Sequence, residues 1–219
     1  MSSLSRRGAE GVGAVHALVL AGGTGERLGG ASKADLDVGS RLLDVVLAGL
    51  APHVSGAVVV VAPPEVPVPD GVGRVMEEPP GGGPLAGIGA GLDLLMGRAG
   101  AAGGDRVVVC SVDSPGAGAL ADRLCGVVLA PHEAGAAIVG GDPEPYTQYL
   151  QAVYRVGPLA RALDGARAAL GGLHGVGVRR VLGGLVLRRV GAPWSECRDV
   201  DTREDLQWWR ARLRGGGPG

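Results

Sequence analysis

The chain has 219 residues, 46% hydrophobic and 20% charged, with a formal net charge of −1. This length allows a full hydrophobic core in one domain or two small ones, and the near-neutral balance gives no general electrostatic pull toward nucleic acid or a membrane surface. Phe is absent while Gly reaches 42, so the core is expected from Val, Leu, Ile and Ala, with many tight turns.

Residues 1 to about 13 read as a flexible tail. Paired arginines ahead of apolar residues give it a faint likeness to an export signal, but Glu10 and three glycines break the apolar region. The runs 14–21, 56–62, 106–111 and 135–140 are short, rich in β-branched or small residues, and apolar on both faces. Strands buried between two helical layers have this character. Helices are expected at 41–50, 85–96 and 117–129, and such alternation predicts an α/β fold with a mostly parallel sheet. Residues 45–64 carry no Asp, Glu, Lys or Arg, yet Gly49, Pro52, His53 and Gly56 divide them into helix, turn and strand rather than a membrane span. Farther on, strands are expected at 146–155 and 185–190, and helices at 158–170, 176–182 and 202–213, with Leu206, Trp209 and Leu213 on one helix face. Residues 214–219 read as a disordered tail. Cys110, Cys125 and Cys197 are odd in number and without C-x-x-C spacing, which favours a reducing, cytoplasmic setting over a disulfide framework or zinc site.

The strand 14–21 runs into Gly22, Gly23 and Gly25, placing a turn at the carboxyl edge of a parallel sheet, where ligands bind in open α/β folds. Glycines let backbone N–H groups approach phosphate oxygens with no Cβ in the way. Arg27 and Lys33 add positive charge, and Lys33 is the sole lysine in a chain with 21 basic Lys and Arg residues. The stretch is not a P-loop, and as a dinucleotide fingerprint it fails at Leu28, which leaves a dehydrogenase a weak reading.

The stretch resembles the opening signature L-A-G-G-x-x-x-R-M-G-G-x-x-K of nucleotidyltransferases of the molybdenum cofactor guanylyltransferase family. It stands here as Leu20-Ala21-Gly22-Gly23, Arg27-Leu28-Gly29-Gly30 and Lys33, with Leu28 in place of Met. The resemblance implies that the turn wraps a nucleoside triphosphate and that Lys33 touches phosphate. A compact, rotatable ammonium can follow a phosphate whose charge moves during reaction, where a planar guanidinium fork is less adaptable.

Three further landmarks follow in the family's order. The segment 77–95 reads as a tight turn into a helix with Pro84 in its first turn. It also resembles the family's acid followed by G-P-L-A-G-I, which implies Glu78, Pro84, Leu85 and Gly87 near the nucleoside; otherwise Glu78 is a solvated surface acid. At 106–116 an apolar strand delivers Asp113 to the sheet edge. A hard carboxylate there suits Mg2+, which takes one or two carboxylates plus phosphate oxygens and water. The alternative is an Asp capping the next helix. In 197–209, Asp199 and Asp201 point to one side of an extended segment, so either can complete a metal site with Asp113. Equally, Asp201 or Thr202 with Glu204 or Asp205 forms a capping box. The segment resembles the family's closing D-x-D-T or N-x-N-T motif, with the Asp form putting pterin-side contacts in question. Gln148 matches the family's strand motif Q-P-L-x-A-V-Y, with Tyr149 in place of Pro, and 175–182 resembles the helix that reaches the acceptor, which implies Arg179 or Arg180 meeting an anionic acceptor; otherwise these are solvated helix arginines.

The resemblance spans about residues 14–213 as a single domain and implies a three-layer α/β/α, Rossmann-like (GT-A-like) fold. It implies Mg2+-dependent transfer of GMP from GTP to the phosphate of molybdopterin, with pyrophosphate released. Lys33, Arg27 and Asp113 would be catalytic. Leu20, Ala21, Gly22 and Gly23 would hold the nucleotide, and Asp113 with Asp201 the metal. Gln148, Arg179, Arg180 and Asp199 would meet the acceptor. It further implies transient contact with cofactor-handling proteins or molybdoenzymes. Rival readings are cytidylyl or other nucleotidyl transfer to a different phosphorylated acceptor, and a non-catalytic nucleotide-binding accessory protein.

Overall fold

The computed structural model describes residues 13–23 and 32–215. Arg27, and nearly all of the two expected tails, lie outside the described residues.

Seven strands form one sheet: β1 (Val15–Leu20), β2 (Val58–Val61), β3 (Gly73–Val75), β4 (Arg106–Ser111), β5 (Gly135–Gly140), β6 (Tyr146–Arg155) and β7 (Leu187–Gly191). Their order is β3-β2-β1-β4-β6-β5-β7. All pairings are parallel except those of β6, which runs antiparallel to β4 and β5. The helices are α1 (Leu42–Leu50), α2 (Pro84–Arg98), α3 (Ala117–Cys125), α4 (Val156–Leu170), α5 (Val178–Leu182), α6 (Trp194–Cys197) and α7 (Arg203–Arg214). Among the described residues no helix is long and apolar enough to cross a membrane.

The period-2 alternation of the strands builds two cores, one on each face of the sheet. In β1, Val15, Ala17 and Val19 pack with α1 and α3, while Leu18 packs with α2 and α4. The strands β1, β2, β4 and β5 are buried on both faces, as their mostly apolar runs require. A third, smaller cluster gathers Leu36, Val38, Leu42, Val200 and Trp209. At about 1.5–3 kcal/mol for each large apolar side chain fully buried, it is enough to tie α7 to the chain that follows Lys33.

The sequence reading differs from the structure at several points. Three-residue β3 is too short to show a pattern. Segment 117–129 stops being helical at Cys125, where Gly126 caps it, and Val128 is exposed. In α7, Trp209 is buried as expected but Leu213 is exposed. That helix also runs one residue past the expected end, to Arg214.

Candidate active site

The chain moves from β1 outward through β2 and β3, then returns to place β4 on the other side of β1. This is a topological switch point, where the loops leaving adjacent strand ends diverge and leave a crevice. The strand ends coincide, Leu20 pairing with Ser111 and the Val112 amide donating to the Leu20 carbonyl at 2.9 Å. Gly22–Gly23 and Asp113 therefore emerge side by side.

The third side comes from far along the chain. The Val200 amide donates to the Asp113 carbonyl at 2.7 Å, which draws the segment 199–201 against the end of β4. Close approach is possible because residue 116 is glycine: a Cβ there would meet the Glu196 carbonyl oxygen at 2.1 Å. Lys33, in a short 3-10 turn (Lys33–Asp35), donates from Nζ to Asp113 Oδ2 at 2.7 Å and Asp201 Oδ1 at 2.5 Å. Lys33 and Asp113 are mostly shielded from solvent, whereas Asp201 is about half exposed. Burial pulls the Lys33 ammonium toward deprotonation, but hydrogen bonds and charge from Asp113 and Asp201 outweigh it, and its pKa is raised.

Capping does not explain either aspartate. The α3 N-cap is Gly116, with no side-chain cap. Thr202 caps α7 in a capping box with Asp205, leaving the Asp201 carboxylate directed at Lys33. Asp199 is held differently: Ser114 Oγ donates to Asp199 Oδ1 at 2.5 Å, and Gln151 Nε2 donates to Ser114 Oγ. Burial first, then the Asp113 charge, pushes the Asp199 carboxyl up to about 7.

Two cavities meet at this cluster. One of about 380 Å³ is lined by Leu20, Gly22, Gly23, Glu77, Pro84 and Gly87, the segment after β1 and the N-terminal end of α2. The other, about 550 Å³, is lined by Tyr146, Gln148, Tyr149, Val178, Arg179 and Asp199. Ser111, Asp113 and Leu150 line both. Leu150 reaches the junction because β6 bulges there: Ala137 pairs with Ala152 but the next residue, Ile138, pairs with Gln148.

Of the residues singled out from sequence, Lys33, Asp113 and Asp201 converge within hydrogen-bonding distance. Leu20, Gly22, Gly23 and Pro84 line the smaller cavity, while Gln148, Arg179 and Asp199 line the larger. Four others stand apart. Ala21 is buried and its amide donates to the Val61 carbonyl at 2.8 Å, so it is spent on the sheet. Leu85 is fully buried in the core. Arg180 is exposed and lines neither cavity. Glu78 is exposed and faces a different hollow beside Arg167 and His174.

Besides Asp113, the smaller cavity has a second acid, Glu77, a buried residue the sequence reading passed over. Its Oε1 accepts from the Gly82 amide at 3.1 Å, and its Oε2 faces Gly87. Its neighbour Glu78 is exposed, so of the two adjacent acids only Glu77 reaches the smaller cavity. Gln151 was likewise missed; its burial within an apolar strand is the signal that marks it.

Among the described residues, no three or more His, Cys, Asp and Glu side chains form a closed metal cage. The donor set instead fits Mg2+ in the open manner that leaves coordination to phosphate and water. Asp113 and Asp201 offer hard oxygens, and the Lys33 ammonium is already a stand-in cation between them.

Comparison with known proteins bears on the fold and the family. The solved structures similar to this chain include molybdopterin-guanine dinucleotide biosynthesis protein A from Archaeoglobus fulgidus, 20% identical, covering 91% of this chain and 99% of that one with a TM-score of 0.56. They also include 2-C-methyl-D-erythritol 4-phosphate cytidylyltransferase from Thermus thermophilus, 19% identical over 92% and 99% of the two chains, with a TM-score of 0.67. Rv0371c from Mycobacterium tuberculosis H37Rv is 21% identical over 90% and 97%, with a TM-score of 0.62. At these identities the likeness concerns the fold. No curated protein sequence matches the chain. The family model for the MobA-like NTP transferase domain matches residues 17–185, and the chain belongs to that family of nucleotidyltransferases.

Proposed function

We propose that the chain is a Mg2+-dependent guanylyltransferase that moves GMP from GTP to the phosphate of molybdopterin, yielding the guanine dinucleotide and pyrophosphate. The observation that carries this reading is Asp113 on the common rim of two cavities, paired with Lys33. A donor nucleotide in the smaller cavity and an acceptor in the larger would meet at that carboxylate.

The residues divide the work by position. The Gly22 and Gly23 backbone and the α2 N-terminus would receive the triphosphate, since both present N–H groups to an anion. Glu77 suits guanine, whose ring N–H and amino group are adjacent donors for a carboxylate. Arg179 would meet the acceptor phosphate, and Gln148 and Asp199 the polar groups behind it. A phosphomonoester with a second pKa of about 6 is already anionic at neutral pH, so attack on the α-phosphorus needs no general base. An acceptor oxygen bonds to that phosphorus, the α–β bridge breaks, and pyrophosphate leaves. Lys33, with Arg27, would stabilise the charge moving onto pyrophosphate. Asp113 and Asp201 are the side chains that would hold Mg2+, which when bound supplies charge neutralisation at the triphosphate. The three free thiols fit a reducing cytoplasm.

Cytidylyl transfer is the second reading, favoured by aspartates at both 199 and 201. Thermal-shift titration with Mg2+ and each of GTP, CTP, ATP and UTP separates the two. Guanylyl transfer predicts the largest stabilisation by GTP, followed by pyrophosphate release when molybdopterin is added; a CTP preference would replace it with the second reading.

A further inference from the structure

The single lysine of this chain raises a question that phosphate binding alone does not answer. Arginine binds phosphate at least as well and supplies every other basic side chain. In the structure the Lys33 ammonium is committed to two carboxylates, at 2.7 Å and 2.5 Å, on segments 80 and 168 positions away. Without it, Asp113 and Asp201 would face each other with only like charge between them.

We propose that Lys33 is a stand-in cation that occupies the metal's place between Asp113 and Asp201, and that it must release them for the metal to enter. The proposal rests on the metal-dependent reading above. Lysine suits an exchangeable cation. An ammonium binds each carboxylate through a single contact and swings away on four rotatable bonds, whereas a guanidinium would fork onto the same oxygens bidentately and stay. Release is also easy in place, because Asp201 is about half exposed and water can take over its hydrogen bonds. The same swing delivers the ammonium to incoming phosphate. Thus the ion pair competes with the metal for both carboxylates and makes metal binding weak until a nucleotide gives the lysine another partner.

The test uses full-length protein and Mn2+ alone, followed by electron paramagnetic resonance. Lys33→Met should bind Mn2+ at least about 10-fold more tightly than wild type. Lys33→Arg should bind no more tightly than wild type. Arg98→Met, an equal loss of charge at the far end of α2, roughly 20 Å along the helix from Pro84, should match wild type. A Lys33→Met affinity equal to wild type, an equal gain in Arg98→Met, or a Lys33→Arg affinity as high as that of Lys33→Met would overturn the proposal. A second measurement needs no variant. Because the chain has one lysine, 15N-lysine labelling gives a single side-chain ammonium signal, which should shift as Mg2+ saturates the protein; a signal that stays fixed while Mg2+ binds contradicts the exchange. Neither measurement uses nucleotide or acceptor, so a wrong substrate assignment would not affect the outcome.

Discussion

Ser114 and Asp199, 85 positions apart, share a hydrogen bond whose direction is set by a third residue. The Gln151 amide nitrogen can only donate, so Ser114 Oγ accepts from it and spends its single proton on Asp199 Oδ1. Gln151 and Asp199 line the larger cavity, and Ser114, which joins them, is fully buried. Ser114→Ala would leave the buried Gln151 amide and a half-buried Asp199 oxygen without this partner, at a cost of about 1–3 kcal/mol. Urea denaturation should register that loss while the affinity for Mg2+–nucleotide stays unchanged, since the smaller cavity does not include Ser114.

Glu77 and Glu78 offer a direct comparison of two adjacent acids. Glu77→Gln should reduce GTP affinity about 10-fold by turning one carboxylate acceptor into a donor. Glu78→Gln should change it less than about 2-fold, on the order set by exposed polar contacts. Calorimetric titration of the two variants with GTP checks both.

Lys33→Ala should lose about 2–4 kcal/mol of transition-state stabilisation, as expected for one well-placed electrostatic donor. The loss should fall on kcat more than on nucleotide affinity. Steady-state pyrophosphate release measures it, and an unchanged rate would leave the lysine without a catalytic role.

Trp209 tests how the site is held. It is buried against Leu36, Val38 and Val200, the residues flanking Lys33 and Asp201, and its indole N–H donates to the Arg198 carbonyl at 2.9 Å. Trp209→Ala should cost about 3–5 kcal/mol. Because this cluster brings the lysine and the aspartate together, Mg2+-dependent nucleotide binding should weaken too, at a temperature where the variant is still folded by circular dichroism.

At the opposite edge of the sheet, Asp105 supplies a pH signature. It accepts from the Ala102 and Ala14 amides at 2.7 and 2.8 Å, and these bonds, that from Ala102 foremost, hold its carboxyl below the usual range. A depressed folded pKa means stability fully present above the unfolded value of about 3.9 and lost as pH falls through the folded value. The stability difference between wild type and Asp105→Ala should therefore be constant at neutral pH and shrink below about pH 4. Thermal unfolding across the acid-to-neutral range follows it.

Much of this was legible in the sequence, for stated reasons. Strands buried on both faces read as continuous apolar runs, so β1, β2, β4 and β5 stand out, and the carboxyl ends of β1 and β4 mark where Gly22 and Asp113 must emerge. What the sequence withheld depends on tertiary packing. The antiparallel insertion of β6 and its bulge at Leu150 are pairing choices with no local signature. The selection of Glu77 over Glu78 turns on how the irregular segment after β3 packs, which buries one side chain and exposes the other. Asp201 was ambiguous because Thr202, next to it, satisfies the same capping chemistry. Gln151 is recognisable only as a polar residue whose burial demands a partner, and the partner, Ser114, lies 37 positions away.

The central claim is that Asp113 joins a nucleotide cavity to an acceptor cavity through a metal-bound triphosphate. The most direct measurement is calorimetric titration of wild type and Asp113→Ala with GTP, each with Mg2+ and with EDTA. The account predicts tight binding only for wild type with Mg2+, and a loss for Asp113→Ala as large as that caused by EDTA. Equal GTP binding by both proteins, or binding indifferent to Mg2+, would contradict it.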